Sequence, residues 1–298
     1  MINPIELSTD KQYFADKKYM SVSAWKKLNR CEIDGCTEFK EITDALLIGS
    51  YVDAHMSGTL EQFKLDFPQI FTTKISENEN TVAMLKQRCE GYVTRNDTLN
   101  STKLADAKKL FPECFTVVTD LKANYKNADE ICKFIDNDKT LQKFLSGDKQ
   151  SIFTGEVEGV PFKSKLDSYS EGKAIVDLKC MATITSRNGE YYDFITAWDY
   201  DVQVSLYQEM VFQNTGEKLP CFIAVVTKET PINSAIIQIP QEVMDKALYR
   251  VQENIKHLYD VKMGVISAVG CGKCKSCIAS RSGTPLISMY DFLDYMGN

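Results

Sequence analysis

The chain has 298 residues, of which 44% are hydrophobic and 26% charged, the balance of a globular protein that can bury a sizeable core. A formal net charge of -6 excludes a protein that coats nucleic acid through unspecific positive charge, because neutralising phosphates takes clustered Lys and Arg, although a local basic channel stays open to it. No apolar run, the best being Phe222 to Val226, approaches the roughly 20 residues that cross a bilayer.

Met1 to Lys11 mixes Asn, Pro, Glu, Ser, Thr and Asp where a secretory signal needs a basic start and an apolar segment. The expectation is a cytoplasmic protein without a membrane span. In that compartment ten cysteines are thiols or metal ligands rather than a disulfide framework.

In chain order, Ser21 or Ser23 caps a helix through Leu28, and Ala45, Ile48, Val52 and His55 follow at helical spacing. Further helices are expected over 81–94 and 127–144. From Ser151 the period changes to two, with turn signals at Glu158-Gly159 and Glu171-Gly172, which predicts a three-stranded antiparallel meander near 151–158, 161–169 and 173–180. A helix over 195–213, strands at 221–227 and 235–239, and a helix over 241–263 complete the pattern. The fold class is therefore α/β, a mixed βββαβ sheet flanked by helices, with a helical N-terminal region. Pattern changes divide the chain into 1–145, 146–265 and 266–298, the last opening on a cysteine cluster.

Alternation puts Lys163, Lys165 and Asp167 on one face of the second meander strand, and Asp177 and Lys179 on one face of the third. If the faces coincide, two carboxylates and three ammonium groups converge. Hard divalent cations such as Mg²⁺ take carboxylate oxygen, and a lysine beside the metal can orient water and offset developing charge, which suits phosphodiester hydrolysis. An Asp-x-Lys tripeptide alone is only a solvated cross-strand pair. Here Asp177 follows the apolar run Ala174-Ile175-Val176, so the acid emerges from a buried strand, where a carboxylate needs partners.

Lys165-Leu166-Asp167 followed by Ile175-Val176-Asp177-Leu178-Lys179 resembles the two acidic motifs of the PD-(D/E)xK superfamily in its RecB-like nuclease branch. Gly49 to His55 is similar to the branch's helical Gly-x-x-x-x-x-His element, and Gln203-Val204-Ser205-Leu206-Tyr207 to its Gln-x-x-x-Tyr motif. The resemblance implies a restriction-endonuclease-like core in which His55, Asp167, Asp177 and the Leu178 carbonyl hold Mg²⁺ or Mn²⁺. It implies that Lys179 is catalytic, and that Gln203 and Tyr207, four apart on one helical face, position the lysine or a phosphate. Glu156 is a further candidate near the metal. On residues alone, His55 on an apolar stripe is a core histidine and Glu156 a solvated acid.

Cys271-Gly272-Lys273-Cys274-Lys275-Ser276-Cys277 can surround one soft centre, zinc or an iron-sulfur cluster. RecB-like nucleases that carry a [4Fe-4S] cluster take its first cysteine from before the nuclease core, a place matched here by Cys31, with Cys36 in reserve. Cys89, Cys114, Cys132, Cys180 and Cys221 have no such spacing and read as core residues. Tyr19 to Ser23, Cys31-Glu32 and Gly49 to His55 together resemble phage-type exonucleases of the exonuclease VIII (RecE) class. That implies 5′ to 3′ digestion of duplex DNA in recombination, a single-strand annealing protein as partner, and a homo-oligomer whose channel Lys163 and Lys165 could line. The rival readings are an endonuclease or end-trimming nuclease of the CRISPR-adaptation kind, and a nucleic-acid-binding scaffold without catalysis.

Overall fold

The most regular alternation in the chain forms the centre of the sheet. A computed structural model describes residues 10–37, 42–88, 91–186, 189–191, 193–284, 286 and 288–290; Cys89, expected in the core, lies outside them. The chain opens with α1 (Asp10–Ala15), β1 (Met20–Ser21), α2 (Val22–Arg30), α3 (Glu32–Cys36), α4 (Asp44–Met56) and α5 (Leu60–Asp66). Of the two serines that could cap α2, Ser21 does so, its hydroxyl accepting from the Ala24 N–H at 3.3 Å.

Next come β2 (Phe71–Ser76), α6 (Thr81–Arg88), α7 (Leu104–Leu110), β3 (Thr116–Leu121), α8 (Lys126–Asn137) and α9 (Lys139–Phe144). The helix expected over 127–144 is thus two, because Asp138 turns out of it and caps α9, accepting from Thr140 N at 2.8 Å and Leu141 N at 3.0 Å. The N-terminal region also holds an antiparallel pair absent from the helical reading: β2 and β3 run from Phe71↔Leu121 to Ser76↔Thr116. Nearby, Leu85, Ala107, Cys114 and Phe115 form a small core of their own.

The meander follows as β4 (Asp148–Val157), β5 (Val160–Ser170) and β6 (Ala174–Met181). Glu158 and Gly159, both at positive φ (52° and 78°), make the two-residue turn that matches the twist of β4 and β5. Then come α10 (Phe194–Ala197), α11 (Tyr200–Thr215), β7 (Cys221–Thr227), β8 (Ser234–Ile239), α12 (Gln241–Lys262) and α13 (Lys275–Ser280). The sheet order is β1-β5-β6-β7-β8, with β4 on β5. β6 and β7 are parallel and α11 makes the crossover between them, giving the expected βββαβ order.

Because β6 and β7 are covered on both faces, their sequences are almost continuously apolar. Ile175, Ile223 and Val225 pack toward α2, α11 and α12 with Trp25, Leu206 and Val251. Val176, Ala224 and Val226 pack the other way, with Val52 of α4 and Ile131 of α8. Leu206 is fully buried at the middle of the first layer, so Leu206→Ala should lower the unfolding free energy by about 3 kcal/mol through lost transfer energy and the residual cavity. A urea titration read by circular dichroism measures it.

Candidate active site

The β5–β6 ladder holds only at Ser168↔Val176, Tyr169↔Ile175 and Ser170↔Ala174. One step further Asp167 and Asp177 face each other, and there the strands part. The Leu178 N–H, which a continuing ladder would give to a backbone carbonyl, donates to Asp167 Oδ2 at 2.9 Å. Beyond the fork, β1 takes the same edge of β5 at Met20↔Phe162 and Ser21↔Lys163. Residues 164–167 thus lie at a gap between β1 and β6. Sheet geometry has turned two carboxylates toward one opening and set their spacing by the backbone.

Asp177 is wholly buried. Gln203 of α11 donates Nε2 to Asp177 Oδ1 at 2.7 Å and to the Tyr207 hydroxyl at 2.8 Å, so the expected Gln-x-x-x-Tyr pair holds the acid from the helix side. Burial, with Asp177 and Asp167 close by, pushes the Tyr207 phenol well above its usual range, and it stays protonated. Lys179 Nζ lies 2.5 Å from Asp177 Oδ2. Burial favours the neutral amine, but the charges of Asp177 and Asp167 outweigh it and raise the lysine's pKa, so it is an ammonium. Burial, then Asp177 and Asp53, push the Asp167 carboxyl well above the ordinary value.

The structure takes two expected residues elsewhere. His55 does not join the acids: its Nε2 meets both oxygens of Asp136 on α8, at 3.2 and 3.0 Å. Asp53 is the α4 residue that raises Asp167, and it lines a cleft with Gly49, Ser50, Leu178 and Lys179. Helical spacing explains the difference. Four residues on from Gly49 return to its face within roughly 40°, whereas six end roughly 120° away from it. Glu156 is exposed, six residues beyond Gln150 on β4 and so about 20 Å along the strand, with its backbone held by Gln213 at 2.9 and 2.7 Å.

The expected convergence of three ammonium groups also fails. Lys163 is buried and bonds to the Tyr13 carbonyl, and to Asp16 through O at 3.1 Å and Oδ2 at 3.0 Å. Lys165 sits over the Phe14 ring at 4.9 Å. Helix α1 has occupied both.

Other residues join the site without having been singled out. Gln150 donates to Asp53 Oδ1 at 3.2 Å. Lys26 of α2 donates to the Trp198 carbonyl at 2.8 Å, and both Lys26 and Lys179 lie over the Tyr200 ring, at 5.1 and 5.0 Å. Burial and the repulsion of Lys179 lower Lys26 to about 8. Asp53 was recoverable from the four-residue step after Gly49; Lys26 and Tyr200 carry no local signal.

At the C-terminal end of α2, Cys31 comes together with Cys271, Cys274 and Cys277, every Sγ within 4.8 Å of the others. Cys36 is set apart, its thiol directed to the Val261 carbonyl at 4.0 Å. Backbone N–H groups of Lys273 and Cys274 pull the Cys271 thiol down to about 6, which favours the thiolate.

Residues 21–280 match the family described as a PDDEXK-like domain of unknown function (DUF3799). The chain belongs to this family. Its mixed sheet flanked by helices is the restriction-endonuclease-like core of a PDDEXK protein. The crystal structure of a candidate exonuclease from Eubacterium rectale is 35% identical, with 95% of this chain and 97% of that one covered and a TM-score of 0.73. The structure of SSO0001 is 11% identical over 80% of this chain and 84% of that one, with a TM-score of 0.28. No curated protein matches the chain. No helix among the described residues is long and apolar enough to cross a membrane.

Whether this PDDEXK site suits a divalent cation can be tested on its own atoms. Asp177 Oδ2 is buried and satisfied by charge alone, since no aligned hydrogen bond reaches it despite the nearby Lys179. Burial, with the repulsion of Asp177 and Asp53 added to it, disfavours ionisation of Asp167. A hard cation relieves both, and all-oxygen donors are what Mg²⁺ or Mn²⁺ takes. The residues fit. Gln203→Leu removes the amide that orients Asp177 while keeping the side chain's bulk, so cleavage by the PDDEXK site should fall about tenfold, a typical loss for a residue that orients a metal ligand. Comparing activity at several Mg²⁺ concentrations checks it, since part of the loss should return at high metal.

Proposed function

We propose that the chain is a divalent-metal-dependent deoxyribonuclease that hydrolyses duplex DNA from its ends. The observation that carries this reading is the fork: Asp167 and Asp177 face each other where β5 and β6 part, with Lys179 against Asp177. Asp53, Asp167, Asp177 and the Leu178 carbonyl would hold Mg²⁺ or Mn²⁺, which when bound polarises a phosphoryl oxygen and acidifies water.

Lys179, kept charged by the acids around it, orients the attacking water and offsets negative charge growing on the phosphoryl oxygens. Gln203, anchored to Tyr207, fixes the rotamer of Asp177. Lys26, beside Tyr200 at the same site, offers a second cation to a phosphate. The preference for ends is supported by the relative from Eubacterium rectale, which bears the exonuclease description. Digestion from 5′ ends, a strand-annealing partner and a homo-oligomer accompany the exonuclease VIII-like reading. A basic channel in that oligomer would need lysines other than Lys163, which is buried.

End-labelled linear duplex and covalently closed circles, each with and without Mg²⁺ or Mn²⁺, test the proposal. Linear DNA should be degraded only with metal and the circle spared. Equal cleavage of both would point to the endonuclease alternative. No cleavage under any condition would leave the binding scaffold.

A further inference from the structure

The cysteine cluster stands apart from the nuclease reading, and its dimensions speak to what it holds. Cys31 Sγ lies 3.4 Å from Cys277 Sγ and 3.6 Å from Cys274 Sγ, and Cys271 Sγ lies 4.0 Å from Cys277 Sγ. All four sulfurs fall within 4.8 Å of one another. Thiolates at about 2.3 Å from one ion sit about 3.8 Å apart at the corners of a tetrahedron. A [4Fe-4S] cluster places its own irons and sulfides between the thiolates and drives them to roughly 6 Å or more. The arrangement therefore does not fit the cluster that the RecB-like resemblance implies.

The surroundings are built to the same tight dimension. The N–H groups of Cys271, Cys274 and Cys277 each donate to the sulfur of another cysteine of the set, at 3.4 Å in all three cases. A Cβ at Gly270 would lie 2.8 Å from Cys277 Sγ and 2.8 Å from Ile33 Cδ1, so the loop passes where only glycine fits. Glu32 accepts from the Val269 N–H at 2.7 Å and meets His257 at 2.7 Å, and Ser276 donates to Asp34 at 2.5 Å. These contacts fix the loop to α3 and α12 independently of any ion.

We infer that Cys31, Cys271, Cys274 and Cys277 bind a single Zn²⁺ in a tetrahedral all-sulfur site. Four thiolates on one centre select a soft or borderline ion, and Zn²⁺ outranks Fe²⁺ for such ligands. The site has no open position for substrate, so its role is structural. It ties the α2–α3 junction to the C-terminal segment, across the whole nuclease core.

The test uses the full chain, expressed with both zinc and iron in excess and purified without oxygen. Elemental analysis should find one zinc per chain that survives in Asp177→Asn and is lost in Cys274→Ser. X-ray absorption at the zinc edge of the unmutated protein should show four sulfurs at about 2.3 Å, a readout that stands even if Cys274→Ser fails to fold. Cobalt exchanged into the site should give tetrahedral ligand-field bands and sulfur-to-cobalt charge transfer. A brown protein with iron and acid-labile sulfide, a red one with a single iron, or zinc held by nitrogen and oxygen would each overturn the inference. So would metal-free protein with four reactive thiols and an unchanged melting temperature.

Discussion

Asp177→Asn should reduce cleavage of end-labelled duplex by at least about 10³-fold, a rise of roughly 4 kcal/mol in the barrier, while leaving DNA binding and the fold in place. The substitution removes a charge without changing the shape. Asparagine keeps an acceptor for Gln203, whose 2.7 Å bond to Asp177 orients the side chain, but it withdraws the anion through which the acid would hold a cation and charge Lys179. Lys179→Met gives the complementary result. With the ammonium gone, Asp177 and Asp167 are left buried against each other, and metal-free protein should lose about 3 kcal/mol of stability, as breaking a buried pair does. Added Mg²⁺ should return part of it by mass action. Thermal melts with and without Mg²⁺ read this separately from turnover. Full activity in both variants would remove these residues from the chemistry.

The second large effect separates two neighbours on α4. Asp53→Ala should cut activity about 10²-fold and raise the Mg²⁺ concentration needed for half-maximal rate, because Asp53 is the α4 carboxylate whose charge reaches Asp167. His55→Ala should change activity less than about twofold, since its imidazole is engaged by Asp136, a partly exposed pair of the kind that contributes under about 1 kcal/mol. Metal titrations of the two variants beside the parent protein decide the matter. A silent Asp53→Ala with an inactive His55→Ala would reinstate the histidine as the helical ligand and overturn the geometry described for α4.

Much of this was legible in the chain because it is local. Alternation over 151–180, the Glu158-Gly159 turn and the apolar run at 221–226 are one-dimensional consequences of a strand buried on one face or two, and the meander and β7 appear where they were expected. Gln203 and Tyr207 meet because four residues make one helical turn, and the structure joins them by a 2.8 Å bond. The pair β2–β3 was missed although its residues are β-branched: Thr72, Thr73 and Ile75 face Asp120, Thr119 and Val117 across more than forty intervening positions, and no turn signal links strands so far apart. His55 was assigned to the metal by the resemblance of Gly49 to His55 to the Gly-x-x-x-x-x-His element, against its apolar spacing with Ile48 and Val52, and its imidazole meets Asp136 instead. Helical periodicity says which residues share a stripe, not which stripe meets the carboxylates.

The strand pattern, the order βββαβ, the two acids with their lysine, and the cysteine triplet are all written in the chain, since each follows from spacing along the backbone. It took the folded arrangement to show that the β5–β6 ladder ends where Asp167 meets Asp177, that Asp53 rather than His55 acts on Asp167, that α1 has occupied Lys163 and Lys165, and that Cys31 closes the set with Cys271, Cys274 and Cys277. Each of those depends on elements tens to hundreds of residues apart coming into register. Their placement is set by how the two faces of the sheet bury their apolar side chains, a global packing outcome that no local pattern encodes.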